Sequence, residues 1–143
     1  MKKLLLSVAV IAITSSLFAQ PQAKKAVDVA KFEKETIDFG KIKQGIPAKG
    51  TFVVTNISDA PLIIETANPT CGCTISDYTK SPIAPGKTGV INATYNAANV
   101  GHFEKHLTVK FAGVEEMKTI TFVGDVLSVE DFDKLKPATK AGK

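Results

Sequence analysis

From Phe103 to Phe111 the chain sets Phe103, Leu107, Val109 and Phe111 at one parity and Glu104, His106, Thr108 and Lys110 at the other, with Lys105 the one break. A period of two fits an extended strand with one buried and one wet face, because successive side chains of a strand point to opposite sides. A helix cannot bury such a stripe, since its facial neighbours stand three and four residues apart. The alternation recurs at intervals of roughly 10 to 15 residues, as in a sandwich. Ile37 and Phe39 alternate with Thr36 and Asp38, and Phe52 and Val54 with Thr51 and Thr55. Leu62 and Ile64 lead to Glu65, while Ile91, Ala93 and Tyr95 alternate with Asn92 and Thr94. Ile120, Phe122 and Val126 stand against Thr119, Thr121 and Asp125.

The punctuation between these runs is that of tight turns. Gly40 and Gly45-Ile46-Pro47 separate the first two, Asn56 to Pro61 the next two, and Ala112-Gly113 the last two, all residue types that turns require. Pro85-Gly86-Lys87 fits a type II turn, with proline fixing one φ and glycine taking the positive one. The expected fold is all-β, an immunoglobulin-like antiparallel β-sandwich of about seven strands, spanning residues 33–127. Both cysteines fall in one loop and there is no tryptophan, so the usual inter-sheet disulfide and its packed indole have no counterpart. Burial must hold the domain, which about 95 residues can manage.

The two ends differ from this middle. Met1-Lys2-Lys3 is a charged start, Leu4 to Ile13 a short apolar run, and Thr14 to Ala19 a polar segment closing on a small residue. Together they have the layout of a secretory leader, and the run is too short to span a bilayer comfortably. Residues 1–19 are therefore expected to be a signal peptide cut before Gln20, leaving a periplasmic or secreted protein with no membrane span. Residues 20–32 are expected to form a linker with room for a helical turn, and residues 128–143 a polar tail. In that tail Ser128 and Asp131 can cap a short helix through Leu135, which Pro137 would stop.

Charge and motif patterns exclude several functions. All 18 basic residues are lysines, against 14 acids, and they are interleaved along the chain. Without arginine the forks that read guanine and clamp phosphate are missing, so nucleic acid is not an expected partner. Gly86-Lys87-Thr88 resembles the end of a phosphate loop, but Ser81 stands where the leading glycine belongs and a strand follows. Asn56-Ile57-Ser58 and Asn92-Ala93-Thr94 match the glycosylation sequon without further support. His102 and His106 are four apart, which on a strand is roughly 13 Å and too far for one ion. They are expected on the outer face, and no acid-base pair or nucleophilic triad stands out, so no enzymatic activity is expected.

The distinctive chemistry lies in Pro69-Thr70-Cys71-Gly72-Cys73-Thr74, which holds both cysteines of the chain. In an oxidising compartment Cys71 and Cys73 are expected to pair with each other at a half-exposed loop tip, Gly72 allowing the tight turn. A ring closed over so few residues removes little denatured-state entropy, roughly 1.5 kcal/mol, so stabilisation is a weak reason for it. The pair can otherwise serve as a thiol-disulfide redox group, or as two thiolates holding copper or zinc. A lowered thiol pKa would need a cation, and Lys80 and Lys87 are near only in sequence.

Taken in order, Ile37-Asp38-Phe39-Gly40-Lys41-Ile42 with Gly45, Thr55-Asn56, Cys71-Gly72-Cys73-Thr74, Pro82-Ile83-Ala84-Pro85-Gly86-Lys87 and Phe122-Val123-Gly124-Asp125-Val126 resemble the bacterial family called domain of unknown function 1573. The resemblance covers residues 36 to 126 and implies an exported domain similar to the hydin-like branch of immunoglobulin-type folds. It marks Cys71, Gly72 and Cys73, and implies no activity or cofactor. The expected function is a non-enzymatic binding or scaffold domain with a protein or envelope partner, working through sheet faces, loops or an open strand edge. A metal module and a thiol-disulfide component are the alternatives.

Overall fold

The computed structural model describes residues 24–135. The expected leader at residues 1–19 and the end of the tail with Pro137 lie outside them. The elements in order are α1 (Ala26–Val29), β1 (Ala30–Phe32), β2 (Thr36–Lys43), β3 (Ala48–Asn56), β4 (Ile64–Pro69), β5 (Thr74–Tyr78), β6 (Thr88–Tyr95), β7 (Gly101–Phe111), β8 (Lys118–Leu127) and α2 (Val129–Leu135). Two four-stranded sheets face one another, one ordered β1-β3-β6-β5 and the other β2-β8-β7-β4.

Parity along the strands decides what lies between the sheets. Phe103, Leu107, Val109 and Phe111 of β7, Ile120, Phe122 and Val126 of β8, Phe52 and Val54 of β3 and Ile91, Ala93 and Tyr95 of β6 are all buried. His102 and His106 turn outward, where Nδ1 of His102 lies 3.0 Å from Asp125 Oδ1 and that of His106 3.0 Å from Thr121 Oγ1. At the open end of the core Tyr95 stacks on Phe103 with ring centres 4.3 Å apart, and Phe39 meets Phe122 edge-on at 5.6 Å.

The all-β sandwich agrees with the expectation, and the structure adds three details to it. There are eight strands among the described residues, because β1 forms inside the segment read as a linker and β5 directly follows the cysteines. The linker does contain the helical turn, α1, but Ala30 and Phe32 then pair with Asn56 and Val54 and bury themselves in the core. The sheets are also not wholly antiparallel. After Phe32 the chain crosses to the other sheet, and β2 runs parallel to β8, with Thr36 opposite Thr121 and Lys43 opposite Leu127. The same run of chain thus meets β3 antiparallel in one sheet and β8 parallel in the other.

The turns behave as their residues dictate. Gly86 takes φ +71° while Lys87 N–H donates to Ala84 O at 3.0 Å, closing the Pro85-Gly86 turn. Gly113 takes φ +71° in the β7–β8 hairpin. Ser128 Oγ accepts from Asp131 N–H at 3.1 Å and caps α2. Hydrogen bonds from Lys134 first, and then from Ser128, hold the Asp131 carboxyl below its ordinary value. A depressed carboxyl pKa contributes stability above the unfolded value, so this cap weakens as pH falls through the lowered one.

One polar side chain is fully enclosed and fully bonded. Asn56 Nδ2 donates to Ala60 O and Ile83 O, both at 2.8 Å, and its Oδ1 accepts from Ser58 N–H at 2.9 Å and from Ser58 Oγ at 2.8 Å. Its main chain continues the link, receiving Gly86 N–H and donating to Lys87 O, each at 2.9 Å. One carboxamide thus ties the end of β3 to both loops at this end of the sandwich.

Two outcomes follow. Leu107→Ala should cost about 2–5 kcal/mol in a denaturation series, and His106→Ala less than about 1 kcal/mol. Asn56→Asp should be more damaging at neutral than at acid pH, because a carboxylate there would face two carbonyl oxygens. Its folded-state pKa would be raised, so stability is greatest below the unfolded carboxyl value, about 3.9, and falls as pH rises above it. Urea midpoints at pH 3.5 and 7 read this directly, each variant being compared with the parent at the same pH.

Candidate functional site

The Cys71-Gly72-Cys73 turn joins β4 of one sheet to β5 of the other. A crossing of so few residues must be tight, and both ends are fastened to main chain. On the β4 side Thr70 N–H and Oγ1 donate to His106 O at 3.1 and 3.3 Å. On the β5 side Asn96 N–H donates to Cys73 O at 3.2 Å, and Thr74 lies opposite Tyr95 of β6. The sulfurs of Cys71 and Cys73 stand 2.05 Å apart, at disulfide distance. Both residues are half-buried, Cys73 against the core, while Gly72 is exposed. Buried Thr74 places its hydroxyl 3.6 Å from the first sulfur and 4.0 Å from the second.

This turn shares its end of the sandwich with two other loops. Gly45 N–H donates to Ala97 O and Gln44 Nε2 to Ala98 O, both at 2.9 Å, so the β2–β3 and β6–β7 connections are joined. Ala97 is fully buried at φ +51°, a left-handed conformation unusual for a residue with a Cβ. Asn96 and Ala97 therefore stand as consecutive links between Cys73 and Gly45.

Other sequence candidates do not converge on the cysteines. Lys80 stacks its Nζ 3.2 Å above the Tyr78 ring. Lys87 sits in the Asn56 turn at the far end of the sandwich. His106 is adjacent through its carbonyl, but its ring points to Thr121 and to Glu104, 3.7 Å away. Among the described residues no three or more of His, Cys, Asp and Glu gather as metal ligands do. A copper or zinc ion at the two sulfurs would need reduction of the pair, and zinc, which takes four ligands, would also need donors from outside these residues.

Sequence reasoning missed the hydroxyls of β5. Ser76 Oγ donates to Ala67 O, and Tyr78 Oη donates to Glu65 O at 2.6 Å. These side chains lace the edge of one sheet to the edge of the other. Their alternation with Ile75 and Asp77 is visible in the sequence, but a polar inward face does not read as a strand.

The profile of a protein family of unknown function, DUF1573, matches residues 30–126. The chain belongs to this family. No curated protein matches it. A protein of unknown function from Porphyromonas gingivalis W83 superposes on this DUF1573 chain with TM-score 0.61 at 13% identity, over 78% of this chain and 51% of that one. The present chain thus spans about half the length of that protein. The ASH/PapD-like domain of human CEP192 gives 0.57 at 12% identity, over 81% of this chain and 97% of that one. The Vibrio cholerae VesB protease gives 0.54 at 16%, over 71% and 33%. At these identities the likeness is one of fold.

Most strings that carry the DUF1573 resemblance have a structural reason. Thr55-Asn56 meets Pro82 to Lys87 through the Asn56 carboxamide. Gly40 and Gly124 meet at a β2 bulge, where a Cβ on Gly124 would stand 2.9 Å from Gly40 O and 2.8 Å from Phe103 Cζ. The cysteines are different. Their removal as Cys71→Ser with Cys73→Ser should lower stability by only about 1.5 kcal/mol or less, since the closed loop is so short. Denaturation of the parent with and without reductant should give the same small difference.

Proposed function

We propose that this DUF1573 chain is an exported, non-enzymatic binding or scaffold domain that engages a protein of the cell envelope through its β-sandwich. The observation that supports this most is the unequal treatment of its two flanks. One flank is laced shut by Ser76 and Tyr78. On the other, β2 is the edge of its sheet among the described residues, and two grooves adjoin it. Unpaired strand edges recruit other chains unless they are blocked. Export fits the leader-like first 19 residues and a cysteine pair at disulfide distance.

A second reading has its own observation, the half-exposed sulfur pair fastened at both ends of its turn. Thiol-disulfide exchange needs an accessible sulfur. Soft-metal binding would use the same two atoms in reduced form.

One experiment separates these. Full-length protein is recovered from the exported fraction after chemical cross-linking, and its partners, thiol content and metal content are measured. A stoichiometric cross-link to an envelope protein, kept by the Cys71→Ser/Cys73→Ser variant, is the expected result. A partner held by a mixed disulfide and lost in that variant would assign the function to the thiols. Stoichiometric copper or zinc would assign a metal module.

A further inference from the structure

We propose that the open flank between β2 and the first half of β3 takes an extended acidic segment of a partner protein as an added strand. This rests on the binding-domain reading above and gives it a surface and a partner chemistry.

The main chain is available there. Consecutive residues of a strand turn their N–H and C=O groups to alternate sides. Glu35 O accepts from Thr121 N–H at 2.8 Å and Gln44 N–H donates to Leu127 O at 2.9 Å, so both face β8. By alternation Thr36 and Asp38, and then Lys41 and Lys43 beyond the bulge, turn their main chain outward. Across the gap β1 pairs with β3 only at Val54, Thr55 and Asn56, with one more bond from Glu33 N–H to Val53 O. Among the described residues Ala48 to Phe52 therefore has a strand partner on the β6 side alone.

Side chains shape this flank into two seats. The first groove, about 610 Å³, lies between β2 and β3 with Lys34 and Lys49 on its walls. Its floor is fixed where Phe39 and Ile37 lie over Gly50, whose absent Cβ would stand 2.8 Å from Phe39 Cζ. The second groove, about 490 Å³, is apolar and formed by Ile42, Ile46, Pro47, Ala48 and Phe132 beneath Lys41 and Lys43. Ile46 is 58% exposed there, a large apolar side chain without cover.

Charge selects the occupant. Lys34, Lys41 and Lys49 are exposed and make no ion pair among the described residues. Lys43 is held by Asp133 at 2.8 Å, and the acid in the first groove, Asp38, is turned back to accept Gly40 N–H at 2.7 Å. An added strand with carboxylates near these lysines and one apolar residue in the second groove satisfies the flank. A second copy of this chain does not, because two lysine-lined edges would repel.

The test uses full-length ¹⁵N-labelled protein and a synthetic peptide of alternating aspartate and valine, about seven residues long, with capped ends. The controls are its lysine-valine counterpart and the same acidic peptide N-methylated at alternate backbone nitrogens. Amide shifts should cluster on Thr36, Asp38, Lys41, Lys43 and the start of β3 with the acidic peptide alone. Binding should weaken about tenfold or more in Lys34→Glu/Lys41→Glu/Lys49→Glu, exposed changes that leave the fold intact, and should fall between about 0.05 and 0.5 M salt. Shifts at β4 and β5, equal binding of the lysine or N-methylated peptide, an unaffected triple variant or no binding at all would each overturn the proposal. The cross-linking experiment separates the two levels. A partner linked elsewhere on the domain leaves the binding reading standing and removes this surface, and the absence of any partner removes both.

Discussion

The sandwich depends on how it closes its far end, and there one carboxamide does what no apolar residue could. A strand that ends inside a protein leaves main-chain groups that water cannot reach, and each unmatched group costs on the order of 1–3 kcal/mol. Asn56 serves three main-chain groups at once, as donor to Ala60 O and Ile83 O and as acceptor from Ser58 N–H, and also accepts from the Ser58 hydroxyl. Among the described residues no buried side-chain nitrogen or oxygen lacks a partner. With that end fixed, Leu62 and Ile83 can pair across the sheets and seal the core beneath the loops.

The opposite end is built on another logic. Its loops are joined through carbonyls, by Thr70 to His106, Asn96 to Cys73, Gly45 to Ala97 and Gln44 to Ala98. The sulfur pair lies in this lighter framework, where a ring of three residues can hold a turn in shape without governing the stability of the whole.

What the sequence made legible follows from what periodicity can carry. β7 was visible because Phe103, Leu107, Val109 and Phe111 all face one core over a long strand. β1 was not, since Ala30 and Phe32 give only two inward residues and no period. β5 escaped because its inward face is Thr74, Ser76 and Tyr78, whose hydroxyls are matched by the sulfurs and by carbonyls of β4 that no local pattern announces. The parallel course of β2 was hidden for a different reason. Ile37 and Phe39 alternate in the same way whichever direction the neighbouring strand runs, so parity reports the face and not the partner. Likewise Cys71 and Cys73 declared themselves by composition, but the fastening of their turn to His106 and Asn96 comes from strands far along the chain.

The pairing of β2 with β8 joins the first long strand of the domain to its last. Contacts between such distant residues raise the contact order of a fold, and the loop entropy must be met before they give any return. A nascent chain that has passed Phe111 can already assemble β3, β6 and β7, yet Thr36 to Lys43 has no ladder until Lys118 to Leu127 arrives. The domain is then a late closer, folding on the millisecond-to-second scale of non-local β topologies. Until its final strand emerges, the β8-facing side of β2 and the aromatic residues behind it remain open to other chains.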